Sequence, residues 1–223
     1  MGDTVGYFKG YKLGDLLHGP PEFSLQGSSA IFRGAVFGNA ASGTDVGPRT
    51  YIDVRLAGAL IATSAESSTV FFQRRLTFLS QMRSAVQYGS SDYSPAGILG
   101  VVMDSDNIRD INGTASAGAT TVSLTAAYTF TSGQKLLCVD PTAGYSDLVT
   151  VSTTGSTTSP TISALPRALG NKTVFMVPDL YVQNAYLQPS GIVIRGNEVG
   201  TLAAVEEIGF NFMCADTPSV QTP

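Results

Sequence analysis

The sequence lacks tryptophan, contains a single histidine, and carries charge on only 13% of its 223 residues. The histidine, His18, precedes Gly19-Pro20-Pro21, which favours a position in a polar loop. Without another histidine, no serine or cysteine nucleophile has a suitable partner base, so we expect neither enzyme activity nor a cofactor. The formal net charge of -4 also argues against nucleic-acid binding, because proteins that bind nucleic acids present positive charge to the phosphates.

The sequence also lacks an apolar run long enough to span a bilayer, and its first residues have neither the basic flank nor the apolar core of a secretory signal. We therefore expect no membrane segment, and a protein made in a reducing cytoplasm. The two cysteines, Cys138 and Cys214, lie far apart in the sequence. We expect them to be reduced and buried rather than joined in a disulfide.

Glycine, serine, threonine and alanine are abundant instead, and short Thr/Val/Tyr runs are separated by glycine or proline. This pattern predicts a mainly β protein. Residues 51–62 alternate in polarity, which is typical of a half-buried strand, and residues 98–103 form a short apolar strand. The glycine-rich stretch 38–48 is typical of a loop, and Pro189-Ser190 is typical of a turn.

A single long helix is predicted over about residues 64–87. The segment Thr63-Ser64-Ala65-Glu66 has the form of a capping box, and the next glycine comes only at Gly89. We expect this helix to pack on a sheet, because the sequence offers no second amphipathic helix to receive it. Its apolar arc consists of Phe71, Phe72, Leu76, Leu79, Met82 and Val86.

Four charged residues are candidates for contacts between subunits. Arg75 falls within the apolar arc of the predicted helix, and Arg83 lies near its edge. Either their aliphatic stems cover the core while the charged heads reach water, or this side of the helix meets acidic groups of a neighbouring subunit. Glu206 and Glu207 are adjacent near the C-terminal predicted strand. Because neighbouring strand residues face opposite sides, a surface or interface role is favoured over acid–base catalysis.

A shift in composition divides the chain. Residues 112–178 are dense in threonine, serine, glycine and valine, and glycines punctuate five strand-like runs. This predicts an inserted small β-barrel or sandwich module within a domain formed by residues 1–111 and 179–223. The five runs cover residues 121–126, 134–139, 148–152, 160–164 and 173–177.

Three aspartates, Asp104, Asp106 and Asp110, lie just before this module. Oxygen ligands at such short spacing can hold Ca²⁺, but Ile108 occupies a ligand position of the EF-hand pattern and no glutamate closes the loop. A solvated turn is therefore favoured, and ion binding by these aspartates is left open.

The segment 49–82, RTYIDVRLAGALIATSAESSTVFFQRRLTFLSQM, resembles the N-terminal domain of distal tail proteins of tailed bacteriophages. A polar loop precedes a strand of the form i-x-v-x-l-x-G and a helix of the form e…r…L..L, and the run Phe210-Asn211-Phe212 is similar to the closing strand. The resemblance implies a tail-tube-like β-sandwich or split barrel with one packed α-helix. The matching positions are Ile52, Val54, Leu56 and Gly58 in the strand, and Glu66, Arg74 or Arg75, Leu76 and Leu79 in the helix.

The middle of the chain resembles a small β-module that recurs in phage and surface proteins, where it usually decorates a surface. Its form is T-x-V-x-L … F … G-q-x-l … v-T-V … G-t-x-V. Distal tail proteins commonly carry such an extra domain on a ring-forming core, although here it is inserted within the core rather than appended. The matching positions are Thr121-Val122, Phe130, Gly133-Gln134, Val149-Thr150-Val151 and 170–174.

These resemblances imply a structural virion protein of the tail, made in the bacterial host cytoplasm. We expect a distal tail (baseplate hub) ring that joins the tail tube to the tip. Its partners would be copies of itself in a hexamer, and neighbouring tail tube, tape-measure and tail-tip proteins. A major tail tube protein, which shares the fold, is the first alternative. A carbohydrate-binding host-attachment module is the second, with Tyr128, Phe130 and Tyr145 as candidate glycan contacts.

Overall fold

The structure of the protein is a computed structural model that describes residues 4–13, 22–32, 44–59, 96–196 and 205–221. In chain order the strands are β1 (Val5–Phe8), β2 (Tyr11–Lys12), β3 (Glu22–Phe32), β4 (Thr44–Ala59), β5 (Ala96–Val102), β6 (Arg109–Asp110), β7 (Tyr128–Phe130), β8 (Lys135–Asp140), β9 (Tyr145–Thr150), β10 (Gly155–Thr157), β11 (Val174–Met176), β12 (Leu180–Gly196), β13 (Val205–Cys214) and β14 (Ser219–Val220).

Strands dominate these residues and pair in antiparallel fashion, which confirms the prediction of a mainly β protein. Among the described residues the only helical element is a short 3-10 helix at Ser105–Asn107. The predicted helix at 64–87 lies outside the described residues. Within the described ranges, no helix has the length and apolar character needed to cross a membrane.

Eight strands form one antiparallel sheet, which we call the large sheet. The strands β2, β1, β5, β12, β13, β4 and β3 lie side by side in that order, and β14 pairs with the start of β12. The predicted alternation in residues 51–62 is confirmed where side chains are described, because Ile52 and Val54 are fully buried while Tyr51 and Asp53 are half-buried. β13 pairs with β4 along its whole length, so these two strands form the regular centre of this half of the sheet.

Two proline-containing stretches that the sequence predicts as a loop and a turn lie inside long strands instead. β4 begins at Thr44 and includes Gly47-Pro48, and β12 continues through Pro189-Ser190. Both predictions are therefore wrong at these positions. In each case the register of the pairing shifts at the proline. Proline cannot donate to the ladder, so a bulge or irregularity accommodates it without ending the strand.

The large sheet is strongly curled. Two strands separate Phe8 in β1 from Phe212 in β13, yet the centroids of their rings lie 4.8 Å apart. In a flat sheet, strands about 4.8 Å apart would place these positions about three times as far from each other. The sheet therefore folds around one apolar core. Besides the two phenylalanines, this core contains Leu13, Ile52, Val54, Leu99, Val182, Ala185, Leu187, Phe210 and Cys214.

The strand β5 is covered on both faces. Leu99 packs into the core of the large sheet, whereas Val102 and the partly buried Ile98 pack against Leu137 of β8 and its neighbours on the opposite face. A strand that is buried on both faces favours apolar side chains at successive positions. This explains the apolar run predicted at 98–103, which the structure confirms as a strand over Ala96–Val102.

The chain between β5 and β12 forms two further sheets, and we call residues 109–177 the insert. One sheet has the order β6, β11, β8, β9, and the other pairs β10 with β7. Three of the five predicted runs overlap β8, β9 and β11. The runs at 121–126 and 160–164 make only isolated bridges, such as Thr121 with Thr161. β6 pairs with β11 in the sheet of the insert, although it precedes residue 112, where the predicted module begins. The boundaries of the two predicted domains stay a prediction.

Candidate functional site

The four residues predicted at subunit contacts fall into two groups. Arg75 and Arg83 lie outside the described residues. Glu206 and Glu207 lie near the start of β13, where Glu207 is directly opposite Arg195 of β12. β13 is paired with β12 on one side and β4 on the other, so its backbone is already used within the sheet. Any contact with a neighbouring subunit through this acidic pair would have to be made across a face of the sheet.

The first two candidate glycan contacts belong to one aromatic pair. Phe130 is 1% exposed, and its ring centroid lies 4.9 Å from that of the half-buried Tyr128. On Tyr128, the guanidinium carbon of Arg109 lies 5.7 Å from the ring centroid. A glycan contact requires an exposed ring face, and Phe130 does not offer one. The pair instead contributes to the apolar core of the insert.

The third candidate, Tyr145, is clamped by a loop of the insert. The guanidinium carbon of Arg167 lies 4.2 Å from the centroid of the Tyr145 ring, and the tyrosine hydroxyl donates a hydrogen bond to the carbonyl oxygen of Ala168. A cation over an aromatic face is an attractive contact. The ring face on that side is therefore covered by the loop and is not free for a sugar.

The same arginine pairs with a buried carboxylate. Arg167 Nε lies 2.8 Å from Oδ2 of Asp147, which is 7% exposed. The contact is ionic rather than a well-directed hydrogen bond, because Oδ2 accepts none of acceptable geometry. Burial raises the pKa of the Asp147 carboxyl, and the charge of Arg167 opposes this only in part. The outer edge of the insert thus contains a carboxylate whose ionised form is poorly stabilised.

A second buried carboxylate, Asp140, is fully used by the protein. Its Oδ1 accepts from the backbone N–H groups of Thr142 and Ala143, and its Oδ2 accepts from the N–H of Gly170 and the hydroxyl of Thr173. Burial alone would raise the pKa of this carboxyl, but these hydrogen bonds lower it below its usual value. Asp140 therefore joins two turns of the insert and is not available to a ligand.

The three aspartates before the module do not converge on an ion. Asp104 caps the short 3-10 helix by accepting a hydrogen bond from the backbone N–H of Asp106, and Asp110 lies in β6 with an exposed side chain. In the part of the chain that the structure describes, no group of three or more His, Cys, Asp or Glu side chains is placed to hold a metal. The turn favoured from the sequence is present at this point.

The insert contacts the large sheet closely at two glycines. A Cβ atom added at Gly100 would lie 2.4 Å from Cδ2 of Leu137, so β8 packs directly on the backbone of β5. At Gly10, in the turn between β1 and β2, an added Cβ would lie 2.7 Å from both the carbonyl oxygen of Asp140 and the nitrogen of Tyr145. The N–H of Gly10 also donates to the hydroxyl of Ser146. Sequence reasoning missed this contact, and Gly10 alone gave no signal of it.

Each end of the large sheet is a strand with one partner among the described strands. β3, with 11 residues, pairs only with β4 among the described strands, and β2, with 2 residues, pairs only with β1. Such end strands present backbone donors and acceptors that another chain can pair with. The sequence gave no indication that β3 would lie at an edge.

No protein-family model matches the sequence, and no curated protein matches it either.

Proposed function

We propose that the protein is a ring-forming structural subunit of a bacteriophage tail, and specifically the distal tail ring that joins the tail tube to the tip. The finer fold that belongs to this proposal is a tail-tube-like β-sandwich or split barrel with one helix, at 64–87, packed on the large sheet. The proposal starts from the sequence resemblance. The observation that carries it furthest is the curled antiparallel sheet with two unlike end strands.

The difference between the two end strands favours a ring. β3 is 11 residues long and β2 has 2, so a contact between the edge of one copy and the opposite edge of the next is head-to-tail. Head-to-tail contacts generate closed rings when the rotation between copies completes a circle. Each copy would use both edges, and the repeated contacts would give a stable hexamer from modest single interfaces.

In this proposal the protein works by assembly rather than by catalysis. Its partners are further copies of itself, the tail tube, and the tape-measure and tail-tip proteins that meet the ring. The insert packs on β1 and β5, away from β3, so the edge formed by β3 is not covered by the insert. The described positions of Tyr128, Phe130 and Tyr145 do not favour carbohydrate binding, so we do not propose it.

Mass photometry of the purified protein at micromolar concentration, alone and with tail partners, tests the ring. We expect a discrete oligomer for the wild type. Replacing the exposed Ser24 of β3 by lysine should abolish it, because charge on an edge strand opposes pairing with another chain. The matched control is Gln183→Lys, at an exposed position of the interior strand β12, which should assemble normally.

A wild-type protein that stays monomeric under all these conditions would refute the ring. Equal assembly of the Ser24→Lys and control variants would instead place the contact elsewhere than at β3. Negative-stain microscopy of the assembled protein separates the distal ring from the major tail tube. The distal ring should stop after one or two layers, whereas a tube protein should stack into long open tubes.

A further inference from the structure

The C-terminal segment is bonded to the insert through one side chain. The backbone N–H of Lys135, the first residue of β8, donates to Gln221 Oε1 at 2.6 Å, and Gln221 Nε2 donates back to the carbonyl oxygen of Lys135 at 3.0 Å. The same Nε2 donates to the carbonyl oxygen of Pro178 at 3.1 Å. The primary amide of Gln221 therefore behaves like a peptide group of an additional strand beside β8.

Pro178 explains why the side chain of Gln221 bonds to β8 at this point. β8 and β11 pair with Met176 opposite Leu137, and the same register continued would place Pro178 opposite Lys135. Proline has no N–H and cannot continue the ladder. Gln221 supplies the missing donor and an acceptor at the point where the pairing ends. Both backbone groups of Lys135 are thus bonded by the side chain of Gln221.

The segment that carries Gln221 is itself attached to the large sheet. β14 pairs with the start of β12, and the N–H of Gln221 donates to the carbonyl oxygen of Asp179 at 2.9 Å. Asp179 also joins the two connections between the large sheet and the insert, because its Oδ2 accepts from the N–H of Met103 at 2.7 Å. Both connections and the C-terminal segment thus meet at one junction.

The strand β8 is consequently held at both of its ends. At Asp140 it is held by the close approach of Gly10, which belongs to the hairpin of β1 and β2. At Lys135 it is held by Gln221, which follows a strand of only 2 residues. The first attachment is rigid backbone packing. The second, at the first residue of β8, depends on the hydrogen bonds of Gln221, whereas Leu137 two residues further along is packed on Gly100.

We propose that residues 219–221 are a latch that holds the start of β8 and the loop before it in place. With the latch closed, the backbone groups of Lys135 are bonded to Gln221. With the latch open, this end of β8 frays, while Leu137 stays packed on Gly100 and the Asp140 end stays against Gly10. The order of this edge of the insert is then controlled by residues 219–221, whether or not the protein forms a ring.

Substituting Gln221 by glutamate tests the latch with little change in shape. A carboxylate cannot donate to the carbonyl oxygens of Lys135 and Pro178, and it brings negative charge to them. We expect the amide hydrogen of Lys135 to exchange about tenfold faster, which corresponds to the loss of one or two net hydrogen bonds. Amide exchange measured by NMR at single residues gives this value, and Gln183→Glu at an exposed site is the matched control.

The exchange of the rest of the insert separates a latch from a general loss of stability. The amide of Val149, which is buried in β9, should keep its wild-type rate. Faster exchange at both Lys135 and Val149 would mean that the insert has been destabilised, and would overturn the latch. An unchanged rate at Lys135 would overturn it as well.

Distances between spin labels test whether the change is confined to the latched end. Both native cysteines are buried, so labels can be directed to introduced cysteines. One label at exposed Ser24 on the large sheet is combined with a second at Ser132, near the latched end, or at Ala143, near Gly10. In Gln221→Glu, the distance distribution to Ser132 should broaden while that to Ala143 does not. Two unchanged distributions, or two that broaden equally, would contradict the latch.

Discussion

The contacts that stabilise the large sheet differ in kind from those that stabilise the insert. In the large sheet, strands of up to 17 residues pair in long ladders, and a curl brings Phe8 against Phe212 across two intervening strands. In the insert, the strands have 6 residues or fewer, and isolated bridges and hydrogen bonds that Asp140 accepts connect its loops. Both regions have an apolar core, but the backbone of the sheet is held by long repeated pairing, whereas the loops of the insert also depend on a few specific polar side chains.

This difference decides which substitutions each region tolerates. Loss of one polar side chain from the large sheet leaves its ladders intact. In the insert, a single carboxylate accepts from N–H groups of two separate turns, and removing it leaves several partly buried donors without this acceptor.

The largest effects are expected from truncating one aromatic core residue in each region. Phe212→Ala and Phe130→Ala should each lower the free energy of unfolding by about 3–5 kcal/mol, measured by urea denaturation. Each region also contains a buried cysteine as its own reporter, Cys214 in the large sheet and Cys138 in the insert. Burial raises the pKa of Cys214 to about 11 and raises that of Cys138 further, so both thiols should react slowly in the native protein.

The two variants should differ in which of the two cysteine thiols becomes more reactive. Phe212→Ala should accelerate modification of Cys214 more than that of Cys138, and Phe130→Ala should do the reverse. Mass spectrometry after a pulse of thiol reagent measures both rates. Equal acceleration of the two thiols in both variants would show that the regions open together, and the distinction between them would fail.

The next effect concerns the contact between the regions. Gly10→Ala should destabilise the protein by about 2–4 kcal/mol, because it combines an unfavourable backbone conformation with a clash against the backbone of the insert. Gly118→Ala is the matched control, since Gly118 has φ +80 against +81 at Gly10 and nothing lies within 4 Å of its added Cβ. The control should cost about 1 kcal/mol. Similar losses in urea denaturation would show that the close approach at Gly10 contributes little.

A smaller, pH-dependent effect is expected at Asp140. Asp140→Asn should lower the free energy of unfolding by about 2 kcal/mol at pH 7, because its new amide would face the N–H of Gly170. Burial would raise the pKa of the wild-type carboxyl, but its hydrogen bonds lower it. The stabilisation is therefore present above about pH 4 and is lost as the pH falls through the folded pKa. Urea denaturation at several pH values should show wild type and variant converging in acid; a gap independent of pH would contradict this.

The smallest effect, with the opposite dependence on pH, is expected at Asp147. Burial raises the pKa of this carboxyl and Arg167 opposes the rise only in part, so its contribution to stability grows as the pH falls through the folded pKa. Asp147→Asn removes a buried charge and also an ion pair with a half-exposed arginine, so stability at pH 7 should change by less than about 1 kcal/mol. Titration of the carboxyl by NMR measures its pKa directly, and a value below the usual range would be inconsistent with this account.

The sequence predicted the parts of the fold that depend on a regular period. The alternation around Ile52 and Val54 located β4, and the run Phe210-Asn211-Phe212, read as part of a closing strand, lies in β13. The apolar run in β5 was found for the same reason. Where a proline lies within a strand, as at Pro48 and Pro189, composition indicated a turn and was misleading, because the bulge depends on the partner strand rather than on the local sequence.

The contacts within and around the insert were much less predictable. The turn after Asp140 is consistent with its local sequence, but the donors from Gly170 and Thr173 come from about thirty residues further along the chain. Tyr128, Phe130 and Tyr145 were the candidate glycan contacts because a carbohydrate-binding module requires exposed aromatic residues. Their actual environments depend on Arg167 and on the core of the insert, and no local pattern encodes either.

The burial of β5 on both faces has a consequence for engineering. This strand lies between two apolar cores, one on each of its faces. Excising residues 109–177 and joining the cut ends would uncover one of these faces and leave Val5, Tyr7 and Val102 facing water. The insert therefore cannot be removed without exposing apolar residues of the large sheet. A shortened protein would need these three positions redesigned before it could remain soluble.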